Sequence, residues 1–161
     1  MTKKIIVGRL CEYLVKVILE SKTGYAVENL NDEKINNPTT DLRVTNQSNG
    51  EKFEVSVKAK DGPTWPAVRG ISSKNQYIVF VDLQTKTDPD FYVLNNRQWI
   101  AVLKKLLPNR DAGAEIVNGA IEWNWMKDGN PKKRRGSYLK VDDIASYKDA
   151  WKVIPGVEAH A

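Results

Sequence analysis

The sequence predicts an α/β (α+β) protein built on a mixed central β-sheet flanked by helices, with a further helix at the C-terminal end. Three observations predict it. Apolar residues recur at three- and four-residue spacing at the start of the chain, the stretch from Lys52 to Lys60 alternates apolar and polar side chains, and an unbroken apolar run follows from Tyr77 to Leu83. These are the patterns of a surface helix, a half-buried strand and a central strand covered on both faces. With 161 residues the chain has room for one core, so residues 1–161 are expected to form a single domain, 1–107 as the core and 108–161 as a C-terminal extension packed on it.

The elements follow in order. Between Lys4 and Lys22, Ile6, Val7, Leu10, Cys11, Leu14, Val17 and Ile18 mark the inner face of a helix closed near Gly24, with Arg9, Lys16 and Glu20 on the other face. Tyr25 to Leu30 reads as a short strand, and Asn31 to Thr40, rich in Asn and Asp, as a loop. Asp41 to Thr45 and Lys52 to Lys60 form a hairpin around Asn46–Gly50. In the return strand Phe53, Val55, Val57 and Ala59 face the core, and Glu54, Ser56, Lys58 and Lys60 share the opposite face.

Gly62, Pro63, Pro66 and Gly70 predict a loop carrying Trp65 and Arg69. Phe91 to Leu94 is expected beside the Tyr77–Leu83 strand. Asn95 or Asn96 caps a helix that uses Trp99, Val102, Leu103 and Leu106 and stops at Pro108. Trp123, Trp125 and Met126 suggest a strand or short helix. Asp128 to Gly136 reads as an exposed loop holding Lys132, Lys133, Arg134 and Arg135, and the last helix as running from Asp142 or Asp143 to Ile154.

Composition narrows the chemistry. A net charge of +5 attracts a polyanion rather than repelling it. The lone Cys11 excludes an intramolecular disulfide and points to a reducing compartment, with cytoplasm the expected location; on the helix's apolar stripe its thiol is a packing group. No stretch has the length of a membrane span, and the N-terminus does not read as a signal peptide. The single histidine, His160, lies next to the last residue, so no histidine-based zinc site or Ser/His/Asp triad can be assembled. Hydrolysis by this chain would rest on carboxylates, lysine and a hard metal ion.

In its order of helix, strand, Asp-bearing strand, hairpin, Lys-bearing strand and apolar central strand, the chain from Gly8 to Leu107 resembles the PD-(D/E)XK nuclease-like superfamily, with its restriction-endonuclease-like core. The resemblance rests on Asp41 in Pro38-Thr-Thr-Asp-Leu-Arg-Val, Lys58 in Val55-Ser-Val-Lys and Glu12 in Gly8-Arg-Leu-Cys-Glu. It implies a metal-dependent phosphodiesterase using Mg²⁺ or Mn²⁺, with Asp41 and Lys58 catalytic and Glu12 as the helix carboxylate that some members use. One position departs: the motif calls for an acidic residue or Gln two before the lysine, and this chain has Ser56.

Two carboxylates normally neutralise the ion while lysine steadies the attacking water or the growing phosphate charge. Ser56 offers only a neutral oxygen, so Glu54, about 7 Å further back on the same strand face, is the candidate to join Asp41 as metal ligand. Nucleic acid, DNA first, is the expected partner, with Trp65, Arg69 and Lys132 to Arg135 as contacts and a homodimer as the arrangement that cuts both strands. Two other readings stand beside this one: an inactive module of the same fold that binds nucleic acid or protein, and a subunit-interaction protein using its tryptophan-rich C-terminal third.

Overall fold

A computed structural model of the chain describes residues 1–32, 40–84, 87–110 and 113–158. Most of the expected loop after the first strand, including Pro38 and Thr39, lies outside the described residues, as does His160.

The first helix, α1 (Lys3–Thr23), starts at Thr2, whose hydroxyl accepts the Ile5 amide, and ends at Gly24, which takes the left-handed φ of 68° that glycine adopts without strain. Strands β1 (Ala26–Asn29), β2 (Leu42–Thr45) and β3 (Lys52–Lys60) form an antiparallel meander. The connection expected to be a loop contains a short strand, β4 (Trp65–Val68), and leads into β5 (Gln76–Asp82), which pairs parallel with β3. Strand β6 (Asp90–Asn95) closes the five-stranded mixed sheet in the order β1-β2-β3-β5-β6.

Helix α2 (Asn96–Leu106) is set by a capping box: the Asn95 side chain accepts the Gln98 amide at 2.9 Å and Gln98 returns the bond to Asn95 N at 2.9 Å. Lys104 and Lys105 in its last turn suit the helix dipole. The C-terminal region forms β7 (Glu115–Val117), β8 (Ala120–Lys127), β9 (Asn130–Arg135) and β10 (Ser137–Leu139). Strands β7, β8 and β9 make an antiparallel sheet, and β10 pairs with β4.

Lys132 to Arg135 therefore belong to a strand rather than a loop. The cause is the two-residue turn Asp128-Gly129, with φ of 52° and 77°, which folds β9 back on β8 and lets the ladder hold a sequence with no apolar alternation. The C-terminal helix is present as α3 (Val141–Ile144). It continues as two 3₁₀ turns, broken where Asp149 takes a φ of 51°.

The central sheet separates two apolar layers. On one side Val55, Val57, Val79 and Val93 pack under Cys11, Val15 and Leu19 of α1, with Trp151 and Ile154 from the C-terminal end. On the other, Ile78, Phe80 and Leu94 meet Trp65, Trp99 and Leu103, joined by Ile121, Leu139 and Ile144. Leu10, Ile6 and Val17, which the apolar periodicity placed on the inner face, are exposed on α1 instead. No helix among the described residues is long and apolar enough to cross a membrane.

Candidate functional site

Strand β2 begins at Leu42, opposite Val55, whereas β3 runs on to Lys60, and the site grows from that overhang. Beyond the Leu42–Val55 pair the Val57 amide has no strand partner on the β2 side. Asp41 supplies one: its Oδ2 accepts Val57 N at 2.7 Å and Ser56 Oγ at 3.4 Å, while its own amide donates to Val55 O at 3.3 Å. The carboxylate is thereby fixed over the middle of β3.

A second carboxylate lies behind it. Asn31 Nδ2 donates to Asp41 Oδ1 and to Glu12 Oε1, at 3.1 Å in each case, and Asn29 Nδ2 donates to Glu12 Oε2 at 3.3 Å. Asn31 is itself oriented by its amide bond to Asn29 Oδ1 and by Arg9, whose Nη1 donates to Asn31 O. Glu12 is 8% exposed. Burial, and then the charge of Asp41, push its carboxyl above the ordinary carboxylate range, against the opposing pull of Asn31, Asn29 and Arg9. Sequence reasoning missed Asn29 and Asn31; their signal was an Asn-x-Asn pair at the end of a strand, which reads as turn chemistry.

Ser56, Lys58 and Asp41 line one cleft of about 1050 Å³. Its rim carries Lys3 and Lys4 from the start of α1, Arg69 after β4, and Arg135 from β9. Lys3 is paired with Asp61 at 2.8 Å and Arg135 with Glu122 at 2.9 Å, whereas among the described residues Lys58 and Arg69 form no ion pair. Lys58 is half-buried and Arg69 exposed. Besides Asp61, which is held by Lys3, the cleft thus carries the anchored carboxylate of Asp41 within a mostly cationic lining.

Two expected site residues sit differently, and a third residue of the same strand face is buried. Glu54 does not line the cleft; its oxygens meet Arg43 of β2 at 3.6 Å and Gln76 of β5 at 3.4 Å, because the register sets Arg43 opposite Glu54 on the same face. Trp65 is 1% exposed and packs edge-on against Phe80 and Tyr92, with its indole N–H given to Lys58 O at 3.1 Å, so it forms the floor and offers no face for a base to stack on. Lys60, which shares the strand face of Ser56 and Lys58, is buried, its ammonium 2.6 Å from Asp82 and 4.7 Å from the centre of the Trp65 ring.

The four cations of β9 are also divided by strand parity. Lys132 and Arg134 share a face with Trp125 and Trp123, their cross-strand partners, and the Arg134 guanidinium lies 4.1 Å from the Trp125 ring centre. Arg110 adds a second such contact over Trp123 at 5.0 Å. Lys133 and Arg135 lie on the other face with Glu122, which pairs with both.

Among the described residues no group of three or more His, Cys, Asp or Glu side chains is placed to hold a metal ion. The residues fit a sparser site. Mg²⁺ is commonly held by one or two carboxylates, with waters and substrate phosphate completing its shell, and Asp41 with Ser56 beside it offers that minimum. Asp41 and Glu54 as a ligand pair do not fit, since Glu54 is turned to Arg43 and Gln76.

The fold and site together define a mixed α+β protein with a cationic cleft beside the end of its parallel strand pair. No family model, no curated protein and no solved structure matches this chain.

Proposed function

We propose that this protein processes nucleic acid, seating a phosphodiester in the β3 cleft between Lys58, Arg69 and the anchored carboxylate of Asp41. The observation that carries the reading is the convergence of Asp41, Ser56 and Lys58 on one cleft rimmed by cations. Lys58 and Arg69 would take the phosphate oxygens, Lys58 as a compact point charge and Arg69 as a planar fork. The ribbon face of Trp125, Arg134 and Lys132, opposite the β9 face whose Arg135 lines the cleft, would offer a second, separate contact, since aromatic and guanidinium planes accept any base.

Hydrolysis is the reaction that fits this seat. Asp41 keeps a fixed orientation through the Val57 amide, and Glu12, bridged to it by Asn31, holds a proton more readily than an ordinary carboxyl. A Mg²⁺ or Mn²⁺ ion held by Asp41, with Ser56 beside it, would supply neutralisation of the phosphate and a more acidic water. Binding without cleavage is the second reading, favoured by the engagement of Glu54 with Arg43 and by Ser56 in place of an acidic group.

The deciding experiment incubates the purified protein with plasmid, single-stranded DNA and RNA, with and without Mg²⁺ or Mn²⁺, beside Asp41→Asn. Ion-dependent cleavage that Asp41→Asn abolishes while binding persists supports hydrolysis. Salt-sensitive binding without cleavage selects the second reading. Absence of both overturns the proposal.

A further inference from the structure

Helix α1 is apolar on two opposite sides. Its inner side, Cys11, Val15 and Leu19, is buried against the sheet. On its outer side Ile6 (52% exposed), Leu10 (59%), Tyr13 (63%) and Val17 (43%) stand in solvent. On a helix of 3.6 residues per turn these four fall within about 60° of one another, directly opposite the buried stripe. A surface helix normally turns polar side chains outward, and one that is apolar all round is normally covered.

The spacing specifies what would cover it. Lys3, Ile6, Leu10, Tyr13, Val17 and Glu20 follow one another at intervals of three and four, the narrow seam of a two-helix coiled coil. We propose that the occupant of this seam is α1 of a second copy of the chain, packed antiparallel about a two-fold axis between Leu10 and Tyr13. In that register Leu10 meets Tyr13 of the other copy, Ile6 meets Val17, and Lys3 at one end meets Glu20 at the other.

Charge chooses the direction. A parallel pairing sets Lys3 against Lys3 and Glu20 against Glu20, whereas the antiparallel one sets opposite charges together at both ends. The present partners leave both ends available for exchange: Lys3 is 85% exposed in its pair with Asp61, and the Lys16–Glu20 contact is 3.8 Å long. The apolar seam from Ile6 to Val17 runs about 17 Å. Four apolar side chains on a seam of this length cover less than the roughly 800 Å² per partner of a standard interface, so a weak dimer is expected, with a Kd on the order of tens of micromolar. This inference does not depend on what the cleft binds.

The test is sedimentation velocity and equilibrium of the full chain from low micromolar to about 500 µM, a range that brackets that affinity. The wild type should pass from monomer to dimer. Leu10→Glu should weaken the dimer at least tenfold while leaving the unfolding midpoint unchanged at low micromolar concentration, where both proteins are monomers, because the Leu10 side chain touches solvent rather than core. Glu20→Lys should weaken it severalfold, and Lys3→Glu together with Glu20→Lys should restore it. A wild type that stays monomeric, including one that binds anionic vesicles as a monomer, overturns the proposal. So does a dimer indifferent to Leu10→Glu. Loss with Leu10→Glu but no rescue by the double charge exchange overturns the antiparallel register.

Discussion

Replacing Lys60 by Met tests how the floor of the cleft is held. The lysine and Asp82 side chains are 1% and 4% exposed, their charged atoms are 2.6 Å apart, and the ammonium also donates to Gly62 O at 3.1 Å. Methionine keeps most of the apolar stem but leaves the Asp82 carboxylate buried with the Gln84 amide at 2.9 Å as its remaining contact of this group. Removing one partner of a buried pair costs about 3–5 kcal/mol, and the lost contact with the Trp65 ring adds about 1 kcal/mol. Against a typical stability of about 5–15 kcal/mol, this is a large fraction. Removing both charges, in Lys60→Met/Asp82→Leu, should return stability to within about 1 kcal/mol of the wild type, since an apolar pair of similar volume often replaces a buried ion pair without loss. Urea unfolding of the four proteins in a double-mutant cycle measures this directly. A Lys60→Met cost below about 1 kcal/mol, or two single effects that simply add, would refute the reasoning.

Glu12→Gln should change the pH dependence of stability. Because the folded-state carboxyl is raised from its ordinary value of 4.5, its favourable contribution is fully present below that value and is lost as pH rises through the folded one. The stability of the wild type relative to the variant should fall from pH 4 to pH 7, by about 1.4 kcal/mol for each unit of elevation; a gap that does not move with pH contradicts the assignment. Gly70→Ala should cost about 3 kcal/mol through overpacking, since a Cβ there would lie 2.1 Å from the Trp99 indole nitrogen, which is bonded to Gly119 O; thermal unfolding reads it. In the ribbon, Lys132→Gln with Arg134→Gln should flatten the dependence of nucleic-acid affinity on salt more than Lys133→Gln with Arg135→Gln, because Glu122 already pairs with the latter two.

Much of the core was legible because its periods are local. The alternation of Lys52 to Lys60 returned β3 with its ends in place, and strand parity put Ser56 and Lys58 on the face where Asp41 lies. The cap at Asn95 or Asn96 and the stop at Pro108 bounded α2 in the same way, and the structure selects Asn95. Elsewhere the deciding interaction was with a distant segment. β4 contains Pro66 and stands between glycines, and becomes a strand only by pairing with β10; β9 is cationic throughout and is held by β8. Parity also could not tell Lys60 from Lys58, since what buries Lys60 is Asp82, a residue 22 positions away. The outer seam of α1 was taken for core because an apolar repeat does not say whether the sheet or another helix covers it. Strand geometry itself redirected Glu54: the cross-strand register that defines the hairpin also sets Arg43 beside it.

The measurement that bears most directly on the cleft is fluorescence anisotropy of labelled single-stranded and duplex oligonucleotides across a salt series, for the wild type and for Lys58→Gln/Arg69→Gln. Each phosphate neutralised contributes a slope of about −0.7 for single strands and −0.9 for duplex in log affinity against log salt. Removing two cleft cations should therefore make the slope shallower by about 1.4–1.8, with the circular dichroism spectrum and unfolding midpoint unchanged. A wild type that binds neither substrate at low salt, or a double variant with the wild-type slope, would contradict the assignment of this cleft to nucleic acid.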